Sequence, residues 1–222
     1  MSLDNTQTAL LEQHLRMVIE ANKNTNITRI DTWEQGLLLH VEDSLVGVPE
    51  VQEAPAGPLA DLGSGGGFPG IPLAIVTGRP VTLVESVGKK TALLQEFSRT
   101  LGLESQITVY TGRAEELAAN VGAAFSVVTA RALSSLPSLM ELASPLLVEG
   151  GHLVCYKSAD IEDELAGAKP LQDKLAMHLV SARPASLSDG TPRSIVVFAK
   201  RGEPTVKLPR RPGQAQRHPY KG

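Results

Sequence analysis

The sequence predicts an α/β protein built on a mostly parallel sheet. From Leu59 onward, short apolar runs alternate with patterns typical of helices, and a glycine-rich turn follows the first apolar run. Strands that alternate with helices form βαβ units, whose helices cover both faces of a parallel sheet. The 222 residues are 42% hydrophobic and 20% charged, a composition typical of a globular domain large enough to bury its own core.

The first 57 residues are predicted to form a small helical cap. Apolar side chains at helical spacing predict a first helix over residues 6–21. Asp31 stands three residues before Glu34, a spacing that resembles the capping box at the start of a second helix. Segment 49–58, PEVQEAPAGP, is rich in proline and is predicted to be a linker to the main domain.

The main domain, residues 58–200, is predicted to contain seven strands. Helical patterns separate the first five strands, whereas the last two have little helix between them, so we expect these two to form a hairpin at one edge of the sheet. The predicted strands are 59–62, 81–85, 107–110, 126–130, 152–156, 179–182 and 195–199. The predicted helices lie near 71–76, 89–101, 114–120 and 136–147.

The strongest motif is DLGSGGGFPG, residues 61–70, where the first strand meets the next helix. Glycines let a backbone turn sharply and approach a ligand, and parallel α/β sheets bind ligands at this edge. Gly63 and Gly65 fit the first two positions of a dinucleotide-binding GxGxxG motif, but Phe68 stands at the third. Asp61 would place negative charge beside a diphosphate. It suits instead a cationic ligand with an amino group, such as S-adenosylmethionine.

Acidic residues follow the next two strands. Glu85 ends the second strand, where folds of this kind place an acid that accepts hydrogen bonds from ribose hydroxyls. Together with Asp61 and the glycines, it favours an S-adenosylmethionine pocket over a nicotinamide pocket. Ala114 and Glu115 follow the third strand, where an adenine is expected to lie. For Glu115 alone, a solvated acid in the first turn of a helix is an equally good interpretation.

Several segments resemble, in order, the motifs of one family. The most specific is the continuation Phe68-Pro69-Gly70-Ile71-Pro72 after the glycines. With it, the chain resembles the bacterial 16S rRNA guanine-N7 methyltransferase G family, formerly called glucose-inhibited division protein B. The other matching segments are Asn26-Ile27-Thr28, His40-Val41-Glu42-Asp43-Ser44, Glu85-Ser86-Val87-Gly88-Lys89-Lys90, Ala130-Arg131-Ala132 and Pro209-Arg210-Arg211-Pro212-Gly213.

The resemblance implies a class I S-adenosylmethionine-dependent methyltransferase fold, a Rossmann-like sheet with an N-terminal helical cap. It also implies methyl transfer from S-adenosylmethionine to N7 of one guanine in the decoding-region loop of 16S rRNA. The cofactor contacts that it implies by motif position are Gly63, Phe68, Glu85, Ser86, Ala114, Glu115 and Arg131. Asp61 and Gly65 join this set from the glycine-loop argument above.

The expected chemistry needs positioning rather than a general base, because N7 of neutral guanine carries a lone pair and no proton. Arg131, just beyond the fourth strand, could bond guanine O6, a phosphate or the carboxylate of the cofactor. His40 and Asp43 lie three residues apart on one helix face. That spacing favours a structural hydrogen-bonded pair, and only the resemblance makes these two candidate catalytic residues beside Arg131.

Charge is distributed unevenly along the chain. The formal net charge is −3, yet residues 183–222 hold nine Lys or Arg against two Asp or Glu. Local positive charge, rather than the total, attracts phosphate. We therefore predict that the tail, residues 201–222, is extended and contacts RNA, although a disordered solvated terminus is the alternative. The RNA-binding candidates are Lys157, Arg201, Lys207, Arg210, Arg211 and Arg217.

The expected setting is the cytoplasm. Cys155 is the single cysteine, no Cys/His spacing predicts a metal site, and neither a signal peptide nor a membrane-length apolar run is present in the sequence. We expect a monomer whose partner is 16S rRNA of the small ribosomal subunit. Two alternatives stay open: a methyltransferase of the same fold that acts on a small molecule, and a non-catalytic rRNA-binding assembly factor.

Overall fold

A single seven-stranded sheet organises the protein in the computed structural model, which describes residues 3–221. The strand order is β3-β2-β1-β4-β5-β7-β6. Strands β1 to β5 pair in parallel, and β7 pairs antiparallel with both β5 and β6. This confirms the α/β class and the predicted hairpin at one edge. The strands are β1 Leu59–Leu62, β2 Val81–Glu85, β3 Ile107–Thr111, β4 Phe125–Arg131, β5 Leu147–Lys157, β6 Met177–Ser186 and β7 Pro192–Lys200.

Two hydrophobic cores lie on the two faces of the sheet. Successive side chains of a strand point to opposite faces, so Val127 of β4 belongs to one core and Val128 to the other. One core packs against the cap and the helices Gly70–Thr77 and Gly88–Thr100. The other core packs against the helices that follow β3, β4 and β5, which are Ala114–Val121, Leu136–Ala143 and the irregular helical segment 162–175.

The cap consists of three helical segments. The first, Asn5–Thr25, begins with a capping box in which Asp4 and Gln7 bond each other's backbone N–H groups. The second runs from residue 33 to 45 with a π-helical stretch at Leu37–Glu42. Its N-cap is Thr32, whose hydroxyl accepts from the Gln35 N–H, so the predicted start at Asp31 is off by one residue.

The predicted linker 49–58 is wrong in its first half. Val48–Glu53 form a helix in which Pro49 occupies the first turn, a position that needs no backbone donor. Val48 and Val51 are buried, so burial of these side chains against the main domain holds the segment in place.

Two boundaries in the main domain also differ from the prediction. The helix predicted over 136–147 ends at Ala143, and Leu147 already belongs to β5. Pro145 lies just beyond the end of the helix, where it cannot continue the backbone hydrogen bonding. Segment 162–175 was not predicted as helical, because its apolar residues are few and its pattern is interrupted by Gly167 and Pro170.

The tail is not extended, which corrects the prediction. Within residues 201–221, Leu208 and Tyr220 pack against the core on the side away from the cap, and Ala215 is 1% exposed. A short helix, Gln214–Arg217, lies beside the helix Leu136–Ala143. Charge and the interleaved prolines predicted an extended segment, but apolar side chains interleaved with the charges fold the tail back onto the main domain.

Among the described residues, no helix combines the length and the apolar character that crossing a membrane requires.

Candidate active site

The glycine loop connects β1 to the helix Gly70–Thr77 at the carboxyl edge of the sheet. Gly63 has a φ of 72°, in the left-handed region that favours glycine. A Cβ at this residue would also lie 2.8 Å from Cδ1 of Leu133. The loop therefore needs glycine here chiefly for its conformation, since the Leu133 side chain is flexible at its end and could shift.

Asp61 lies beneath this loop rather than in a cavity. Its Oδ1 accepts a hydrogen bond from Oγ1 of Thr129 at 2.8 Å, and its Oδ2 accepts one from the Gly70 N–H at 3.2 Å. Complete burial raises the pKa of the Asp61 carboxyl to about 6. The predicted cofactor contact of Asp61 is corrected to a role in holding the loop. Strand alternation is the signal that indicates this orientation, since Leu59 and Asp61 face the same core.

A cavity of about 370 Å³ opens at the carboxyl ends of β1, β2 and β3, within the size range of small-molecule sites. Glu85 lies in its wall and accepts hydrogen bonds at both oxygens: Oε2 from the Gly65 N–H at 3.0 Å and Oε1 from the Val87 N–H at 2.9 Å. We call this space the first cavity. The sequence-predicted residues that line it are Gly63, Gly65, Glu85, Ser86, Ala114 and Glu115.

One wall of the first cavity was not predicted. Gln216 of the tail lines it, together with Arg113, the N-cap of the helix Ala114–Val121. Arg113 Nη1 donates to Gln216 Oε1 at 3.1 Å, and the Gly213 N–H donates to Glu115 Oε1 at 2.6 Å. These contacts join residues about a hundred positions apart in the chain, and no local sequence pattern indicates them.

A second cavity of about 190 Å³ lies on the other side of the glycine loop, against the cap, and also contains Gly63 and Gly65 in its lining. Thr28 and His40 of the cap line it, as do Phe68 and Arg131. Phe68 and Arg131 thus line the second cavity instead of the first. The two cavities share Gly63 and Gly65 in their linings, so they adjoin at the glycine loop at one edge of the sheet.

The Phe68 ring is stacked between two histidines. The ring centroids are 4.4 Å apart for His14 and 4.5 Å apart for His40. His14 Nε2 lies 2.9 Å from the Gly66 carbonyl, so this nitrogen carries the hydrogen that is donated. Burial lowers the pKa of His14 to about 3 and that of His40 to about 4, which keeps both rings neutral near pH 7. His14 was not identified from the sequence, because a lone histidine on an apolar helix face predicts only a core residue.

Arg131, His40 and Asp43, the three candidate catalytic residues, lie in contact with one another. Arg131 Nη1 donates to Asp43 Oδ2 and to the Leu39 carbonyl, both at 2.8 Å, while Nη2 donates to His40 Nδ1 at 3.3 Å. The other Asp43 oxygen, Oδ1, accepts from Nε of Arg193 at 2.7 Å. Arg193 lies in β7 outside any recognised motif, and only the folded hairpin brings it to this carboxylate.

Two of the predicted RNA-binding residues form ion pairs within the protein. Lys157 lies 2.7 Å from Glu164 and is 11% exposed. Arg210 makes two hydrogen bonds of 2.6 Å to Glu141, with only 16% of its side chain exposed. These ion pairs correct the prediction that Lys157 and Arg210 are available to RNA. The predicted cations that remain exposed are Arg201, Lys207, Arg211 and Arg217.

Within residues 3–221, the structure has no group of three or more His, Cys, Asp or Glu side chains arranged to hold a metal ion.

Comparisons with solved structures identify the fold. An O-methyltransferase from Bacillus cereus, solved in complex with SAH, matches with a TM-score of 0.60 at 19% identity over 85% of this chain and 91% of that chain. A putative O-methyltransferase from Klebsiella pneumoniae matches with a TM-score of 0.56 at 14% identity over 91% of this chain and 92% of that one. At these identities the likeness establishes the class I methyltransferase fold, as predicted.

Comparisons of sequence identify the family. A family model described as rRNA small subunit methyltransferase G (GidB) matches residues 7–187. The protein named ribosomal RNA small subunit methyltransferase G from Roseiflexus sp. is 38% identical over 218 residues, covering 94% of this chain and 91% of that protein. The protein of the same name from Chloroflexus aggregans is 36% identical, covering 98% and 92%. The resemblance is confirmed, and the chain belongs to the rRNA small subunit methyltransferase G family.

Proposed function

We propose that this protein transfers a methyl group from S-adenosylmethionine to N7 of a guanine in 16S rRNA of the small ribosomal subunit. The observation that carries the proposal is the pair of adjoining cavities on the two sides of the glycine loop. One side is formed by the methyltransferase sheet and the other by the cap. Family membership and the names of the relatives support the same activity.

The residues of the first cavity fit the cofactor. S-adenosylmethionine, when bound, supplies a methyl group activated by a sulfonium. A carboxylate at the end of β2 suits ribose hydroxyls, and each oxygen of Glu85 keeps acceptor capacity beyond its one backbone partner. Gly63 lines this cavity with a φ of 72°, a conformation that favours glycine, so its backbone borders the site without a side chain. The residues that would hold the cofactor are Gly63, Gly65, Glu85, Ser86, Ala114 and Glu115.

The second cavity is assigned to the target guanine. Arg131 uses both N–H groups of Nη1 and one of Nη2 within the protein. Its Nε–H and the second Nη2 hydrogen have no partner among the described residues, so they are available to a ligand. Guanine presents O6 and N7 as acceptors on one edge. A donor on N7 would block the lone pair that reacts, so we assign O6 to Arg131.

No residue needs to act as a general base. The nucleophilic N7 carries no proton, and His14 and His40 are neutral rings that pack on Phe68. The proposed task of the protein is to hold N7 in line with the methyl group and to exclude water. Methylation makes the base cationic, and the carboxylate of Asp43 behind Arg131 limits the positive charge that surrounds the base.

Exposed cations of the tail supply the proposed phosphate contacts. Arg201, Lys207, Arg211 and Arg217 are exposed, and cations of this kind bind a nucleic-acid backbone in a salt-dependent way. We further propose that the protein acts as a monomer. Cys155 is free and buried, which suits a reducing cytoplasm. Light scattering of the purified protein would test the monomer.

The test is methyl transfer from tritiated S-adenosylmethionine to three substrates: deproteinised 16S rRNA, assembled small subunits and a metabolite extract. We expect label in RNA and, by reverse-transcription and mass mapping, at N7 of one guanine. Label confined to metabolites would indicate a small-molecule methyltransferase. RNA binding without label would indicate an assembly factor. Glu85→Ala should lower incorporation at S-adenosylmethionine concentrations below saturation, whereas Glu96→Ala, at an exposed acid on the helix after β2, should leave it unchanged.

A further inference from the structure

We propose that the tail, residues 201–221, forms part of the cofactor site and that Gln216 and Glu115 together recognise the adenine ring. This inference rests on the proposed function, since it concerns the site that holds the cofactor. The observation behind it is that Gln216 of the tail and Glu115 after β3 both line the first cavity. The tail therefore serves the cofactor as well as RNA.

The hydrogen-bonding groups of this pair are complementary to adenine. A guanidinium only donates, so the Gln216 atom that faces Arg113 Nη1 at 3.1 Å is Oε1. The amide nitrogen of Gln216 is thereby left with donors. Glu115 accepts the Gly213 N–H at Oε1, and Oε2 has no hydrogen-bond partner among the described residues. A donor beside an acceptor matches N1 and the 6-amino group of adenine, which accept and donate respectively.

The position of Gln216 is set by the docking of the tail. Its neighbour Ala215 is 1% exposed, and the Ala215 carbonyl accepts a hydrogen bond from Ser138 Oγ at 2.9 Å. The bidentate pair between Arg210 and Glu141 holds the preceding part of the tail, with the Glu141 side chain 2% exposed. Arg210 also stacks on Tyr220 at 4.2 Å. Arg210 is therefore a positioning residue for the adenine end of the cavity.

The discriminating ligand is one in which the hydrogen-bonding pattern of the purine is reversed. Hypoxanthine carries a carbonyl oxygen in place of the amino group and a proton on N1. Its carbonyl oxygen, an acceptor, would face the Glu115 carboxylate, and its N1–H, a donor, would face the amide N–H of Gln216. We expect the protein to bind S-adenosylhomocysteine at least tenfold more tightly than S-inosylhomocysteine. Isothermal titration calorimetry measures both affinities on the full chain.

Three variants test the assignment. Gln216→Ala should weaken binding of S-adenosylhomocysteine about tenfold and reduce the preference for adenine over hypoxanthine. Arg210→Met should lower affinity and selectivity in the same direction through displacement of the tail. The matched control is Gln214→Ala, which removes an amide two residues away that does not line the first cavity, and we expect affinity and selectivity within twofold of wild type.

Unchanged affinity and selectivity in Gln216→Ala would overturn the inference. Since Gln216 is only half-buried, this variant decides the question even if Arg210→Met does not fold. Wild-type protein that binds S-adenosylhomocysteine but methylates no RNA would overturn the proposed function and leave this inference standing. Wild-type protein that binds neither nucleoside would overturn both.

Discussion

Asp43 of the cap and Arg131 at the end of β4 form an ion pair, with 2.8 Å between Oδ2 and Nη1. The other oxygen of the same carboxylate binds Arg193 of β7 at 2.7 Å. The exposed fractions of the Asp43 and Arg131 side chains are only 8% and 14%. One carboxylate thus links the cap to two strands of the sheet, beside the cavity that we assign to the guanine.

Asp43→Asn should destabilise the fold and lower methyl transfer. The substitution leaves two guanidinium groups without their counter-charge in a largely buried place, which costs about 3 kcal/mol for pairs of this kind. Urea unfolding measures the loss, and Asp31→Asn, at an exposed acid of the same cap, is the control. Equal unfolding midpoints for wild type and Asp43→Asn would show that the carboxylate does not hold the two arginines together.

Glu85→Ala should weaken binding of S-adenosylhomocysteine by about 1 to 3 kcal/mol, the cost of a lost hydrogen bond to a charged group. This corresponds to roughly 5- to 150-fold in Kd. The Gly65 and Val87 N–H groups also lose their acceptor, so the glycine loop shifts as well. Calorimetry with Glu96→Ala as the matched control checks this result. An unaltered Kd would remove Glu85 from the cofactor site.

His14→Gln should make the stability of the protein less sensitive to acid. The pKa of His14 is about 3 in the folded state because of burial, against 6.5 as its ordinary value. Between these values the unfolded chain binds more protons, so the contribution of His14 is complete above pH 6.5 and is lost as the pH falls toward 3. This residue then lowers wild-type stability by about 1.4 kcal/mol per pH unit in that range.

Urea unfolding at pH 7, 5.5 and 4.5 measures this dependence. Titrating groups that are not coupled to His14, such as Asp61 with its raised pKa, are common to both proteins and cancel in the difference. Substitution of the exposed His218 by Gln is the control and should follow wild type. Parallel pH profiles for wild type and His14→Gln would show that the pKa of His14 is the same in the folded and unfolded states.

The sheet and the glycine loop could be predicted from the sequence because both depend on local patterns. Apolar runs predict strands, and the spacing of Gly63 and Glu85 places both at the same edge of a parallel sheet. Asp61 was placed at the right strand end but on the wrong face. Leu59 belongs to one core, and Ala60 and Leu62 belong to the other. Because the side chains of a strand alternate between its two faces, the Asp61 side chain lies on the face of Leu59, beneath the loop.

The tail could not be predicted, because its conformation depends on pairs that are distant in sequence. Arg210 and Glu141 are 69 residues apart, and Arg113 and Gln216 are 103 apart. The composition indicates that the segment is basic. It does not indicate that Arg210 forms an ion pair with Glu141, a buried residue on the helix after β4. Charge predicts an RNA partner for the tail, which stays a prediction, and it does not indicate which of the cations form ion pairs within the protein.

Simultaneous substitution of Arg211 and Arg217 by Ala should weaken rRNA binding without changing the affinity for S-adenosylhomocysteine. Both residues are exposed and line one surface depression of the tail, in contrast to Arg210 in its ion pair. Each phosphate contact to a single strand contributes about 0.7 to the slope of log K against log salt concentration, so the slope should flatten by about 1.4. Fluorescence anisotropy across a salt series measures the slope.

The control is Arg99→Ala, which removes an exposed arginine near the end of the helix Gly88–Thr100. This arginine lies toward the opposite edge of the sheet, so the substitution should leave the slope unchanged. A slope as steep as that of wild type in the double variant would place the RNA on another face of the protein.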